Sequence, residues 1–469
     1  MRANAPSAAD IRQFDNRNHV HPWHPVGMED ANFMIATEGD GIHLFDTEGR
    51  KYIDGPAGMW STQIGYGRRE MADAIAEQVM KLPFATPWTS TTGPAAVLAS
   101  KLAAHSPGDL NRVFFTTGGS TAVDSALRFV HFYNNMLGRH EKKGIIAREK
   151  GYHGSTYLAA SVSGKARDKS FLDTDEINVH FIGDPNPYGR PDGMSTSDWC
   201  DRLIDELVQT IATVGAGRIA AFIAEPVLAS GGVIVPPDGY HRRCLEICRR
   251  HDILYISDEV VTAFGRMGEM FASETVFGIT PDIITCAKGI TSGYVPLGAV
   301  LISDRLMDEI LALSQDEYIM FTNGFTYSGH PVACAAALKN IEIMKREDMF
   351  AHVRQITPYF QQRLRDLARH PIVGDARGMG LLGCIEGRAP SESTEEARLA
   401  VDLEFGMRLD KKCEARGLLV RPIINMAVFS PPLIIQQDDI DRMFDIMDVA
   451  LAEVSEEMLY DTGRARCDI

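Results

Sequence analysis

Two stretches decide the fold: HDILYISDEV at residues 251–260 and DIITCAKGITSGYVPLGAV at residues 282–300. Each begins with a short apolar run that leads into a polar residue, Asp258 in the first and Lys288 in the second. Nearly continuous apolar runs separated by helical patterns are typical of parallel strands that are buried on both faces. Outward from these stretches, strand-like runs occupy 113–117, 144–147, 219–224, 253–257, 282–286 and 298–302, and amphipathic helical patterns occupy 121–137 and 239–250. The sequence therefore predicts an α/β fold with a mostly parallel sheet.

The C-terminal third of the chain has a different pattern. Two helical stretches precede three strand-like runs, at 331–346 and 353–369 and then at 380–385, 418–422 and 428–435. This succession indicates a smaller α+β unit. We therefore predict a large domain at 71–328, a small domain at 329–469, and an N-terminal segment, 1–70, that joins the small domain.

Composition excludes several classes of function. Of the 469 residues, 45% are hydrophobic and 23% are charged, as in ordinary globular proteins. The formal net charge of −16 repels phosphate backbones, so we expect no nucleic acid partner. The first twenty residues lack the apolar run of a secretory signal, and prolines interrupt the uncharged stretches at 82–100 and 422–437. We therefore expect no membrane segment and a cytoplasmic enzyme.

Common site motifs are missing or out of place. The eight cysteines form no CxxC pair, and we predict that Cys244 and Cys248 are buried thiols and that the chain has no metal site. One GxGxxG occurs, at Gly378, Gly380 and Gly383. It leads into a strand-like run where a dinucleotide-binding motif would open a helix, so we assign it no nucleotide.

Several features predict a site at one edge of the sheet. The glycine turn at 116–120 follows a strand and opens a helix, so its N–H groups can bind an anion and Ser120 can cap the helix. Asp258 and Lys288 each follow a strand, where ligands bind in α/β sheets, and such a lysine suits Schiff base formation. Tyr152 lies between glycines and can stack on a planar ring. Pyridoxal 5′-phosphate (PLP), a planar phosphorylated aldehyde, fits all of these features.

The chain resembles the class III (ω-type) aminotransferases of PLP fold type I over essentially its whole length. The resemblance is carried by GGS at 118–120, GYHG at 151–154, AEP at 224–226, SDEVVTAFGRMG at 257–268, DIITCAKGITSGYVPLGAV at 282–300 and FTYSGHP at 325–331. It is most similar to the amine:pyruvate and β-alanine:pyruvate transaminases, through Met59-Trp60 and through Arg421 upstream of SPPL. The sequence departs from the usual SGSEAN of the family at Thr121 and Val123, where it reads GGSTAV.

This resemblance implies an aspartate aminotransferase-like large domain, a smaller α+β domain and a set of residue roles. Lys288 is expected to hold PLP as a Schiff base and to move the substrate proton, while Asp258 faces the ring nitrogen. The expected cofactor contacts are Gly119, Ser120, Tyr152, His153, Glu225, Asp258, Val260, Lys288 and, from the neighbouring subunit of a homodimer, Thr326. The expected substrate contacts are Trp23, Trp60, Trp88, Tyr152, Ser230 and Arg421.

The implied reaction moves an amino group from a primary amine or ω-amino acid to pyruvate in two half-reactions. Arg421 is expected to swing toward the carboxylate of the keto acid and away from an apolar amine. Three related activities stay open: a 2-oxoglutarate-dependent enzyme of the γ-aminobutyrate or ornithine type, a diaminopelargonate synthase, and an isomerase of the glutamate-1-semialdehyde aminomutase type. A half-reaction with amine alone separates transaminases from the isomerase.

Overall fold

The computed structural model describes residues 6–24, 33–314, 318–388 and 394–467. Its strands are, in chain order, β1 (Ala36–Asp40), β2 (His43–Asp46), β3 (Lys51–Asp54), β4 (Arg112–Thr116), β5 (Gly144–Arg148), β6 (Val179–Ile182), β7 (Ile219–Ala224), β8 (Leu254–Asp258), β9 (Ile283–Cys286), β10 (Gly298–Ile302), β11 (Val373–Met379), β12 (Leu382–Gly387), β13 (Leu418–Leu419), β14 (Arg421–Ile423) and β15 (Met426–Phe429). Its helices are α1 (Ala8–Asn18), α2 (Ala57–Trp60, a single kinked turn), α3 (Arg69–Lys81), α4 (Gly93–Ala103), α5 (Gly119–Met136), α6 (Tyr157–Ser161), α7 (Ala166–Lys169), α8 (Thr196–Val214), α9 (Tyr240–Arg250), α10 (Asp304–Leu313), α11 (Pro331–Arg346), α12 (Met349–Asp366), α13 (Glu395–Glu414) and α14 (Gln437–Cys467).

A seven-stranded sheet forms the centre of the molecule, in the order β4-β10-β9-β8-β7-β5-β6. The pairs from β9 through β8, β7 and β5 to β6 are parallel, whereas β10 is antiparallel to both β9 and β4. Because β10 is antiparallel to both of its neighbours, β4 and β9 point in the same direction. The predicted mostly parallel sheet of an α/β fold is confirmed.

Helices cover both faces of this sheet, which explains why its strands are apolar throughout. Neighbouring residues of β7 point to opposite faces: Ile223 packs in the cluster that includes α5, and Phe222 packs with side chains of α8 and α9. The thiols of Cys244 and Cys248 belong to that second cluster and are buried and free, as predicted. Both faces of the sheet are therefore in the core.

Two smaller sheets involve the chain ends. In the first, of order β1-β2-β3-β13, β3 of the N-terminal segment pairs in parallel with β13, and Ile53 lies opposite Leu418. The second has the order β11-β12-β15-β14 and is antiparallel. Residues 1–5 and 25–32 of the predicted N-terminal segment lie outside the described residues, and the domain boundaries at 70 and 328 stay a prediction.

Two predicted strands differ from the observed ones, and one observed strand was not predicted. The run at 418–422 is not one strand, because the chain leaves β13, passes Val420 and enters β14 in another sheet. The run at 428–435 is strand only as far as Phe429, since consecutive prolines follow and proline cannot donate to a ladder. Strand β6 was not predicted from the sequence. The GxGxxG segment forms the β11–β12 hairpin, as its strand-like continuation indicated.

None of the helices in the described ranges is both long enough and apolar enough to cross a membrane.

Candidate active site

The carboxyl ends of five strands meet at one edge of the central sheet. β4 leads to Gly119, β5 to Tyr152, β7 to Glu225, β8 to Asp258 and β9 to Lys288. They surround a cavity of about 360 Å³. The cavity is lined by every predicted site residue except Trp88 and Thr326, namely Trp23, Trp60, Gly119, Ser120, Tyr152, His153, Glu225, Ser230, Asp258, Val260, Lys288 and Arg421.

Three donors hold the carboxylate of Asp258 at the floor of the cavity. His153 Nδ1 lies 2.6 Å from Asp258 Oδ2, and the Val260 N–H and the Thr285 hydroxyl donate to Oδ1, each at 3.1 Å. The next residue, Glu259, does not line the cavity, because its carboxylate accepts from the backbone N–H groups of Ala272 and Ser273. The structure therefore separates two adjacent carboxylates, and Asp258 is the one that faces the site.

Lys288 is half-buried at the cavity wall in a strained backbone conformation. Its φ is +45°, which a residue with a side chain rarely adopts, and strain of this kind concentrates at functional sites. Its Nζ lies 4.7 Å from the centre of the Trp60 ring. Burial lowers the pKa of Lys288 from 10.5 to about 8, although Asp258 and Glu225 oppose that shift. A large share of the free amine is therefore neutral, and nucleophilic, near pH 8.

The glycine turn opens α5 in a way that the sequence predicted only in part. Ser120 does not cap the helix, because Gly118 is the N-cap and Ser120 Oγ instead accepts from the Ser155 N–H at 3.0 Å. Thr121 closes the first turn: its hydroxyl accepts from the Thr117 N–H and donates to the Gly118 carbonyl.

Val123, the second residue that departs from the family pattern, has a different role from Thr121. Val123 is fully buried in the core that α5 forms with the sheet. Thr121 and Val123 therefore serve the helix start and the hydrophobic core, while Gly119 and Ser120 line the cavity.

A buried glutamate positions the loop that carries Tyr152. Glu225 Oε1 accepts from the Tyr152 N–H at 3.0 Å, and Oε2 accepts from the Ala229 N–H at 3.1 Å. Burial raises the pKa of Glu225. The ring of Tyr152 meets that of Trp23 edge to face, with the centroids 5.7 Å apart, so these two aromatic side chains form one wall of the cavity.

Arg421 packs against the Trp60 ring. Its guanidinium carbon is 5.0 Å from the ring centroid, its Nε is buried without a hydrogen-bond partner, and burial lowers its pKa. No carboxylate in the described ranges lies within 4 Å of it, so Arg421 forms no ion pair there. Trp60 is thus the common neighbour of Lys288 and Arg421.

Comparison with known proteins agrees with this geometry. The profile of the family Aminotransferase class-III matches residues 26–451. The chain is a class III aminotransferase. It is 39% identical over 434 residues to the putrescine–pyruvate aminotransferase of Pseudomonas aeruginosa, an alignment that covers 92% of this chain and 93% of that relative.

Two further relatives of this aminotransferase differ in their named activity. Gamma-aminobutyrate transaminase 1, mitochondrial, of Oryza sativa subsp. indica is 39% identical over 436 residues, which cover 92% of this chain and 83% of the relative. The crystal structure of a thermostable (S)-enantioselective omega-transaminase from Thermomicrobium roseum superposes with a TM-score of 0.90 at 36% identity, covering 96% and 99% of the two chains. The PLP fold type I is thereby confirmed.

Class III aminotransferases depend on PLP, and the cavity of this aminotransferase fits that cofactor. A Cβ added at Gly119 would lie 2.9 Å from Val260 Cγ1. The cavity wall at the start of α5 therefore leaves no room for a residue larger than glycine. A half-buried lysine of lowered pKa, a carboxylate held by three donors and a tyrosine on the cavity wall supply the groups that a phosphorylated pyridine aldehyde requires.

Sequence reasoning missed one charged wall of the cavity. Lys165, Arg167 and Asp168 line it, on or beside the short helix α7. They lie in the segment SGKARDK, which is neither strand-like nor glycine-rich enough to stand out, so no local signal could have found them. Only the return of the chain from α6 toward the sheet brings these charges to the site.

Trp88 and Thr326 are not brought to this cavity within one chain. Both line a second cleft, bounded by 84–88 and 320–328, and Trp88 is 84% exposed there. Trp88 therefore does not line the cavity of its own chain, and its expected contact with the substrate stays a prediction. Thr326 was expected to act on a neighbouring subunit, and its exposed position lets that prediction stand.

The part of the chain that the structure describes contains one group of possible metal ligands, Asp15, His19 and His21. His19 Nδ1 and His21 Nε2 lie 2.9 and 2.8 Å from the two carboxylate oxygens of Asp15. Hydrogen bonds within the group account for this arrangement, and we assign it no metal.

Proposed function

We propose that this aminotransferase moves an amino group from a primary amine or ω-amino acid to pyruvate in two half-reactions. The observation that carries the proposal is the arrangement of Arg421 over Trp60 in an aromatic-walled cavity, beside Lys288. An apolar amine suits the aromatic wall, and the carboxylate of a keto acid suits the guanidinium. The relative from Pseudomonas aeruginosa, named for putrescine and pyruvate, supports this pairing of donor and acceptor.

When bound, PLP supplies an aldehyde that condenses with amines and a ring that takes up electrons from the reacting carbon. Lys288 Nζ would accept the proton from that substrate carbon and return it to the carbon that PLP contributes as an aldehyde. Its lowered pKa suits both steps near neutral pH. Asp258, which His153 orients, would face the ring nitrogen of bound PLP. Tyr152 and Val260 would flank the ring, while Gly119 and Ser120 would leave room for the phosphate.

Arg421 lets one cavity accept two unlike substrates. A buried, unpaired guanidinium facing an apolar donor is costly, whereas a carboxylate offers it two parallel hydrogen bonds. Resting on the Trp60 ring, without a hydrogen bond from its Nε, the side chain can move toward a carboxylate without first breaking an ion pair. Arg421 therefore serves the keto acid and the ω-amino acid, and stays aside for apolar amines.

The active unit in this proposal is a homodimer. Thr326 is exposed in a cleft that also contains Trp88, and neither residue reaches the cavity of its own chain. We expect Thr326 to bind the cofactor phosphate of the neighbouring subunit and Trp88 to complete the aromatic wall there. A cytoplasmic location stays a prediction, and the rice relative is named as mitochondrial.

A panel of donors and acceptors tests the proposal. The holoenzyme is incubated with amines, ω-amino acids and diamines alone, and then with pyruvate or 2-oxoglutarate, while the cofactor absorbance is followed. Conversion by amine alone and recovery with pyruvate are expected. Recovery with 2-oxoglutarate and not with pyruvate would instead identify a 2-oxoglutarate-dependent aminotransferase. Lys288→Ala is the control and should show neither change.

A further inference from the structure

Lys165 is the least explained charge in the cavity. Its ammonium donates to the carbonyl and to the hydroxyl of Ser230, both at 2.6 Å. An ammonium has three hydrogens, and the third makes no hydrogen bond within the residues that the structure describes. No carboxylate in those ranges lies within 4 Å of Lys165 Nζ. A partly buried cation without an ionic partner is costly unless a ligand supplies one.

The nearby carboxylates have other partners. Asp168 lies 3.5 Å from the guanidinium of Arg167, and Glu225 accepts from two backbone N–H groups. Burial lowers the pKa of Lys165, Asp168 and Glu225 oppose that shift, and the positive charge of Arg421 adds to it. Lys165 and Arg421 thus line the same cavity, repel each other, and have no carboxylate of the described ranges within 4 Å.

Two such cations match a ligand with two anionic groups. A monocarboxylate such as pyruvate satisfies one of them, whereas a dicarboxylate places one carboxylate on each and removes the repulsion.

We propose that Lys165, supported by Ser230, is a second carboxylate subsite, which binds the far carboxylate of a dicarboxylic keto acid or amino acid while Arg421 binds the near one. This inference rests on the proposed function, because it takes Arg421 as the group that meets the first carboxylate. It extends the acceptor range from pyruvate to dicarboxylic keto acids such as 2-oxoglutarate.

Binding of two unreactive acids to the holoenzyme tests the subsite. Glutarate and pentanoate have the same chain length and differ only in the second carboxylate, and neither has an amine or carbonyl group that reacts with the cofactor. Calorimetric titration should show glutarate binding about 10-fold or more tightly than pentanoate, since a charge-assisted hydrogen bond is worth that much. Equal affinity for the two acids would overturn the proposal.

Three variants locate the effect. In Lys165→Met, which keeps the side-chain length, the preference for glutarate should fall to within about 2-fold, and Lys165→Arg should restore it. Pentanoate affinity reports whether the cavity is intact in each variant. Arg167→Met is the matched control, because it removes a neighbouring cation that already has Asp168 beside it, and it should keep the preference.

The outcomes separate this proposal from the proposed function. A preference for glutarate that persists in Lys165→Met, or that disappears in Arg167→Met, would overturn the assignment to Lys165. The transamination of amines with pyruvate is measured in a separate assay on the wild-type enzyme. Failure of that assay would overturn the proposed function, whatever the acids show.

Discussion

His153 Nδ1 lies 2.6 Å from Asp258 Oδ2, and both side chains are almost completely buried. Asp258 ends β8, whereas His153 follows β5, and β7 lies between these strands in the sheet. The contact therefore ties two loops across the carboxyl edge of the sheet and fixes the direction of the carboxylate. His153, expected as a cofactor contact, acts on the site through Asp258 as a positioning residue.

Replacing the members of this pair should have graded effects. In Asp258→Asn a neutral amide no longer stabilises a protonated ring nitrogen, so we expect a loss of about 10²-fold or more in the half-reaction rate, roughly 2.7 kcal/mol of barrier. His153→Gln should cost less, about 10-fold, because the carboxylate keeps its other donors. Stopped-flow absorbance measures both rates. A near-wild-type rate in Asp258→Asn would reject its assigned role.

The lowered pKa of Lys288 predicts a pH dependence for cofactor loading. Only the neutral amine attacks an aldehyde, and the neutral form of Lys288 accumulates above pH of about 8, not above 10.5. The rate at which the apoenzyme takes up PLP should therefore rise with pH and level off above about 8. Imine absorbance follows the reaction, and the side-chain amine of Nα-acetyl-lysine in free solution is the reference. A midpoint near that of the reference would contradict the assigned pKa.

Gly119 and Gly118 provide a matched pair of variants for testing the expected phosphate site at the start of α5. A Cβ at Gly119 would meet Val260 Cγ1 at 2.9 Å, whereas nothing lies within 4 Å of one at Gly118, whose φ of 170° suits any residue. Gly119→Ala should weaken PLP binding by about 10-fold, and Gly118→Ala should change it by less than about 3-fold. Equilibrium dialysis of PLP measures both. The same loss in both variants would place the cause in the helix start and not in the contact with Val260.

Arg421→Ala should separate the two half-reactions. We expect severe loss with pyruvate and β-alanine, whose carboxylates need the guanidinium, and little change with an apolar amine such as 1-phenylethylamine. Each half-reaction is measured alone by cofactor absorbance. An equal fall in the rates of both half-reactions would show that Arg421 acts only through its packing on Trp60, and it would refute the proposed movement.

The dimer proposal predicts that oligomeric state and cofactor affinity change together. Thr326→Ala should weaken PLP binding although Thr326 lies outside the cavity of its own chain. Sedimentation should find a dimer at assay concentration, and dilution to the monomer should release PLP and abolish activity. A fully active monomer would refute the contribution of Thr326 across an interface.

Much of the fold and the centre of the site could be predicted from the sequence, because both depend on local order along the chain. The apolar runs that became β7 and β10 were predicted to the residue, since strands buried on both faces leave an uninterrupted signal. Asp258 and Lys288 could be assigned together because residues that follow parallel neighbours must meet at one edge of the sheet.

Only the tertiary structure decided which charges and aromatic rings share the cavity. Lys165 reaches it through an irregular segment, Trp88 lies in another cleft, and Ser120 leaves the helix cap to the backbone of Gly118 and the side chain of Thr121. Contacts of this kind join residues far apart in the chain, and they depend on how loops fold back, which periodicity does not encode. The sequence by itself determined the α/β fold with its mostly parallel sheet, the positions of Asp258 and Lys288 after neighbouring strands, and the family, while packing determined the aromatic and charged walls of the cavity.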